Sequence, residues 1–82
     1  MEKQKITVRV AGKSYTLVSS DPPEHVRRVA ELADRRLREM ELASGLPASQ
    51  IQTLAVLNLQ DELVKAQDEI RELKRRLSEA PA

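Results

Sequence analysis

The sequence predicts an α+β fold, in which a small head of one β-hairpin and one helix is followed by a long C-terminal coiled-coil helix. Three observations predict it. Apolar and polar residues alternate on both sides of Gly12, an amphipathic segment follows Pro22, and apolar residues recur every three or four positions from Val56 to Leu77. We expect residues 1–46 to form the ββα head and residues 47–82 to form the long helix, which packs on the head at its start.

The composition indicates that the chain associates with copies of itself. It has 82 residues, no cysteine and one histidine, so disulfides and a structural metal site are not expected to stabilise so small a head. Charged residues make up 33% of the chain and Tyr15 is its one aromatic residue, which is typical of long solvated helices with aliphatic contacts. Oligomerisation is therefore the expected source of stability.

Charge and hydrophobicity argue against nucleic-acid and membrane partners. The formal net charge is +1, which gives no overall attraction for a polyanion. The longest apolar run, Leu54–Leu57, is far shorter than the roughly 20 residues that span a bilayer, and the N-terminus lacks the apolar stretch of a signal peptide. We expect a cytoplasmic protein.

The hairpin is predicted between residues 5 and 19. Glycine at the first position of a Gly12–Lys13 pair suits a type II′ turn, which would place Ala11 opposite Ser14 and Val10 opposite Tyr15. In this register the five large apolar residues between positions 6 and 17 share one face: Ile6, Val8, Val10, Tyr15 and Leu17. Since a lone hairpin is unstable in water, a helix should cover that face, and hairpins of two chains should form one sheet.

The first helix is predicted to begin with Asp21 as its N-cap and Pro22 at its first position. Its apolar stripe faces the hairpin and contains Val26, Val29, Ala30, Ala33, Leu37 and Met40. Gly45, in a left-handed conformation, should end the helix before Pro47.

The second helix is predicted to begin at a capping box of Ser49 and Gln52, with no breaker until Pro81. Its apolar residues form a coiled-coil seam from about residue 56 to 77, which we call the seam: Val56, Leu59, Leu63, Ala66, Ile70, Leu73 and Leu77. Because the head is too small to cover the far end of the seam, a second copy must do so. Glu69 opposite Lys74 favours a parallel pair, and the small Ala66 leaves room for a tetramer.

The polar residues predict no catalytic, metal or cofactor site. His25 has no second histidine or cysteine as a companion, and the acid pairs Asp61–Glu62 and Asp68–Glu69 diverge on a helix. The arginines of the first helix are expected to pair with acids four positions earlier, in Glu24–Arg28, Glu31–Arg35 and Asp34–Arg38. Asn58, among apolar neighbours, is expected to be a hydrogen-bonded packing residue.

The order of these elements resembles the bacterial cell-division protein ZapA family over nearly the whole chain. The segments that carry the resemblance are Val10–Tyr15, Val29–Leu37 and Leu57–Leu63. The resemblance implies a regulator that binds protofilaments of the tubulin-like division protein FtsZ, bundles them as a dimer or tetramer, and promotes Z-ring assembly at midcell. Several contacts then turn weak binding into avid bridging.

The resemblance also implies the residues that face FtsZ. Lys13 matches the basic residue that follows the turn glycine in the family. Thr16 stands where the family has a second basic residue, so this sequence departs there, and we expect Arg9 on the same outer face to supply the charge. Ser49 and Leu54 match further positions near that surface.

Two other functions fit the same pattern of elements. A small dimeric nucleic-acid-binding protein would use the hairpin as a ribbon in a groove. A coiled-coil scaffold for another cytoplasmic partner would need only the seam. Steep salt dependence of DNA binding would indicate the first function, and failure to alter FtsZ assembly would favour the second.

Overall fold

A computed structural model describes residues 2–79, and the predicted helix stop at Pro81 lies outside them. The strands are β1 (Gln4–Val10) and β2 (Lys13–Ser19), which pair antiparallel. The helices are α1 (Pro23–Ser44) and α2 (Ala48–Glu79). The predicted fold class is confirmed: a hairpin and a helix precede one long helix, and the molecule measures 53 × 39 × 14 Å.

The predicted register of the hairpin is wrong by two residues. The turn residues are Ala11 and Gly12, and Val10 therefore pairs with Lys13, Val8 with Tyr15 and Ile6 with Leu17. Both turn residues have positive φ, 54° and 77°, as a type I′ turn requires in place of the predicted type II′. A shift of two residues preserves the side on which each residue lies, so the predicted apolar face survives.

Both predicted helix N-caps are also wrong. Pro22 rather than Asp21 caps α1, and its carbonyl accepts the backbone N–H of His25 at 3.0 Å. A residue that precedes proline is biased towards extended backbone, so Pro22, which precedes Pro23, keeps ψ at 139° and delays the helix by one residue. The predicted C-cap is confirmed, because Gly45 has φ of 66° and donates its N–H to the carbonyl of Glu41 at 3.0 Å.

The start of α2 likewise differs from the predicted capping box. The helix begins at Ala48, and the carbonyl of Pro47 accepts the N–H groups of Gln50 and Ile51, each at 3.0 Å. Ser49 therefore lies inside the first turn, where its carbonyl accepts the hydroxyl of Thr53 at 3.4 Å.

The core is small and lies beneath one strand. α1 packs on the inner face of β1 and against the first turns of α2. The buried apolar residues, all from β1, α1 and the start of α2, are Ile6, Val8, Val26, Ala30, Ile51 and Ala55. β2 has no buried residue, so the helix covers only half of the predicted apolar face.

Candidate partner-binding and self-association surfaces

The hairpin turn is held against α1 by a side-chain contact. The backbone N–H of Ala11 donates to Asp34 Oδ1 at 2.9 Å, and Arg38 Nη2 lies 3.0 Å from Asp34 Oδ2. A left-handed conformation costs a non-glycine residue roughly 1–2 kcal/mol, and this hydrogen bond offsets part of that cost at Ala11. The turn is therefore attached to the helix rather than projecting freely from the hairpin.

The structure places the predicted partner-binding residues of the hairpin on two sides of the sheet. Arg9 and Thr16 lie on the outer face, where Arg9 pairs with Ser14 and Thr16 with Thr7. They are thus neighbours on a diagonal, whereas the predicted register would have placed them directly opposite each other. Lys13 pairs with Val10, so it lies on the inner side, at the exposed end of the hairpin.

The Arg9 side chain bends from the outer face towards the turn, beside which Lys13 lies. Its Nη2 donates to the carbonyl of Gly12 at 3.2 Å, which bends the guanidinium back over the turn. One of its five N–H groups is used in this contact, so the others remain available to a partner. Farther along the outer face, the hydroxyls of Thr7 and Thr16 lie 3.3 Å apart.

The start of α2 lies beside the turn. Ala11 of the turn and residues Ala48, Ile51 and Gln52 of α2 line one small cleft, together with Leu37 and Glu41. Ser49 and Leu54, the predicted contacts in this part of α2, are both exposed. The turn and the first turns of α2 therefore form one end of the head.

An apolar groove on the head was missed by the sequence reasoning, which expected a helix to cover the whole inner face. The groove has a volume of about 580 Å³ and lies between β2 and α1. Tyr15 and Leu17 line it and are 45% and 42% exposed, while Val29 borders it from α1. Their apolar character was visible in the sequence, but the position of α1 across the sheet was not.

The groove continues onto α2 and into the seam. Leu37 and Gln52 line both this groove and a second hollow, and Val56 and Leu59 line that second hollow. The large apolar residues of the seam are between 42% and 76% exposed in the single chain, and Ala66 is exposed as well. A continuous apolar surface therefore runs from the hairpin to the far end of α2.

Comparison with known proteins identifies the family. The family model described as "Cell division protein ZapA" matches residues 6–81. This chain belongs to the ZapA family. The cell division protein ZapA of Halalkalibacterium halodurans is 34% identical over 74 residues, which cover 89% of this chain and 81% of that relative. The relative from Shouchella clausii is 34% identical over 64 residues, covering 77% and 82%.

A solved ZapA structure has the same architecture. It is a ZapA mutant dimer from Geobacillus stearothermophilus, with a TM-score of 0.80 and 26% identity over 96% of this chain and 93% of that one. The resemblance to the ZapA family read from the sequence is therefore confirmed. The family relationship covers the turn, the outer face of the hairpin and the seam alike.

The charged side chains of this ZapA-family chain are arranged differently from the prediction. Of the three expected ion pairs on α1, only Asp34–Arg38 forms within residues 2–79. Arg36 instead reaches across to α2, where Asn58 Oδ1 accepts from its Nη1 at 2.9 Å. Asn58 is thus hydrogen-bonded as predicted, although it is exposed in the single chain.

The C-terminal turns of α2 carry a chain of exposed ion pairs. Arg75 contacts both Glu72 and Glu79, and Arg76 Nε lies 3.2 Å from Glu72 Oε1. Hydrogen bonding to Arg75, with a smaller contribution from Arg76, lowers the pKa of Glu72 below its ordinary value of 4.5, although desolvation acts in the opposite direction. Hydrogen bonding to Asp61 raises the pKa of Lys65 above its ordinary value of 10.5. These shifts arise from helix-surface pairs and not from a buried reactive group.

Neither a metal cluster nor a membrane span is found in the described part of the chain. Within residues 2–79, no group of three or more histidine, cysteine, aspartate or glutamate side chains is placed to hold a metal ion. No helix in that range combines the length and apolar character needed to cross a bilayer. His25 is exposed and lies at the edge of the apolar groove.

Proposed function

We propose that this chain is a division adaptor that binds FtsZ protofilaments and cross-links or bundles them through heads held together by α2, promoting Z-ring assembly at midcell in the cytoplasm. The observation that carries the proposal is the exposed seam, which extends from a head that bears a separate polar surface. A protein built this way can pair through one surface and bind through the other. Membership of the ZapA family supports the role in division.

Self-association is the first half of the proposal. Burying a leucine or isoleucine side chain gains about 1.5–3 kcal/mol, and the seam leaves Ile70, Leu73 and Leu77 exposed in the single chain. A second copy along the seam, and over the apolar groove that continues it, would bury these residues. The related protein from Geobacillus stearothermophilus was solved as a mutant dimer, which supports a dimer here. A tetramer formed from two dimers would use the same seam.

FtsZ binding is the second half. We assign the contact to the end of the head where the turn meets the start of α2 and to the adjoining outer face of the hairpin, with Lys13, Arg9, Thr16, Ser49 and Leu54 as the contact residues. All five are exposed, and the bent guanidinium of Arg9 brings its charge towards the turn. No cofactor, nucleic acid or membrane enters this mechanism, and no catalytic step is assigned.

Bridging follows from having several heads in one assembly. Once one head is bound, a second contact becomes intramolecular, so its effective concentration is set by the assembly and not by the solution. Weak individual contacts then suffice to hold neighbouring protofilaments together. Because each contact is weak, the bundles can also come apart.

Co-sedimentation with FtsZ assembled in GTP tests the proposal. We expect the unmodified protein to pellet with the filaments and to increase light scattering, and Arg9→Glu to reduce pelleting because it reverses a charge on the contact surface. Arg35→Glu makes the same charge change on an exposed residue of α1, which has no ion-pair partner within residues 2–79, and it should leave pelleting unchanged.

Each result has a separate meaning. If the unmodified protein does not pellet with FtsZ, the FtsZ proposal is wrong, and a scaffold for another partner becomes the better explanation. If it pellets but Arg9→Glu pellets equally, the assignment of Arg9 is wrong while the partner stands. Circular dichroism of each variant controls for folding.

A further inference from the structure

Few apolar side chains join α2 to the head. The buried side chains that α2 contributes to the head, Ile51 and Ala55, come from its first two turns. The hollow between the two helices ends at Val56 and Leu59. Beyond that point α2 continues to Glu79, about 30 Å at 1.5 Å per residue. We call this part of α2, residues 59–79, the tail. Small changes in angle at the junction therefore produce large displacements at the end of the tail.

Arg36 makes a two-point contact with α2 at that junction. Its Nη1 donates to Asn58 Oδ1 at 2.9 Å and to Glu62 Oε1 at 3.2 Å, and its Nη2 lies 3.1 Å from Glu62 Oε2. Asn58 and Glu62 are one helical turn apart, so the planar guanidinium contacts two successive turns on one side of α2. A contact at two points resists tilting, whereas a contact at one point acts as a pivot.

The contact is also partly shielded from solvent. The Arg36 side chain is 35% exposed, and Arg36 lines the same hollow as Val56 and Leu59. It is the one side-chain hydrogen bond or ion pair that joins α1 to α2 within residues 2–79. Arg36 therefore lies where the head ends and the exposed seam begins.

The same helix holds the turn from its other side. Asp34, two residues before Arg36, accepts the N–H of Ala11, and two residues on a helix point about 200° apart. α1 thus connects the hairpin turn on one side to α2 on the other.

We propose that Arg36 is a positioning residue that fixes the direction of α2 relative to the head. In an assembled protein it would set the distance and angle between the heads, and so the spacing of the protofilaments that they bridge. The second statement rests on the proposed FtsZ function, while the first concerns this chain alone. Asn58 and Glu62 are its partners in this role.

Spin-label distances test the first statement. The chain has no cysteine, so Ser20→Cys in the head and Arg71→Cys in the tail give a defined pair of labels, and dilution with unlabelled protein isolates the distance within one chain. We expect a single narrow distribution for the parent. Arg36→Glu should widen it by about 2–3 Å, the displacement that a 10° swing produces over the roughly 14 Å from Glu62 to the label at position 71.

Two further variants separate a lost contact from general damage. Exchanging the charges, in Arg36→Glu with Glu62→Arg, should restore the narrow distribution because the ion pair re-forms in reverse. Arg35→Gln, at the neighbouring arginine, should leave it unchanged. If Arg36→Glu does not fold by circular dichroism, Arg36→Met keeps the apolar stem and removes only the charged contact, and it should widen the distribution in the same way.

An unchanged distribution in Arg36→Glu or Arg36→Met would overturn the positioning role. For the second statement, electron microscopy of FtsZ bundles should show irregular filament spacing with Arg36→Glu and regular spacing with the exchanged pair. Regular spacing with Arg36→Glu would overturn that statement. If the parent fails to bind FtsZ, the proposed function fails, and the distance measurement still decides the role of Arg36.

Discussion

The head and the tail of this ZapA-family chain differ in where their apolar residues find contacts. Within residues 2–79, every buried apolar residue belongs to the head or to the first two turns of α2. From Leu59 to Leu77 the large apolar residues of the tail are exposed, although their spacing is more regular than that of the head. Regular spacing therefore shows that a residue needs a partner, and not that its own chain supplies one.

The largest effect is expected from a charge placed in the seam. Leu73→Lys removes about 1.5–3 kcal/mol of apolar burial from each copy of a pair and adds a buried charge. Sedimentation equilibrium should then show mass falling towards the 9.3 kDa of one chain. Asp68→Lys, at an exposed position outside the seam, should leave assembly intact.

A folded 9.3 kDa species of the unmodified protein at micromolar concentration would contradict this account of the tail. The seam would then be stable without a partner, and the tail would not differ from the head in its need for a second copy.

A smaller effect is expected from a cavity in the head. Ile51 is 3% exposed, and shortening a buried isoleucine to alanine costs about 2–5 kcal/mol. Ile51→Ala should lower the temperature at which the head melts, measured by circular dichroism. Leu42→Ala, at a residue that is 88% exposed, is the matched control and should change it little. Equal shifts in both variants would show that burial in the single chain does not identify the core.

The smallest effect concerns the ion pairs of the tail. Because the pKa of Glu72 is lowered in the folded chain, mainly by Arg75, its contribution to stability is present above its unfolded value and is lost as pH falls through the folded value. A carboxyl titration by NMR should give Glu72 a midpoint below 4.5, and Arg75→Gln should raise it. Arg71→Gln, whose arginine pairs with Asp68, should not. An unmoved midpoint in Arg75→Gln would reject Arg75 as the cause.

The sequence was sufficient for the features that depend on periodicity. Alternation placed Ile6, Val8 and Tyr15 on one face, and steps of three and four residues predicted a long helix with one apolar side. Gly45 was predictable because few other residues adopt its left-handed conformation without cost. These features depend on the nearest neighbours along the chain.

The features that sequence reasoning missed depend on distant residues. The register follows from a left-handed Ala11, which is supported by Asp34, a residue 23 positions away. The contact of Arg36 with α2 spans 22 and 26 positions, and the open groove depends on where α1 crosses the sheet. The partner-binding residues themselves came from family resemblance, and their role stays a prediction.

The residues that α2 contributes to the core come from its first two turns, and this has a consequence for how such adaptors can diversify. Deleting or inserting seven residues after Glu62 would keep the apolar ridge in phase and would leave the buried residues of the head untouched. Each such step changes the length of α2 by about 10 Å. Relatives could therefore differ in the length of the tail helix, and a designer could make a series of spacers of graded length from this one fold.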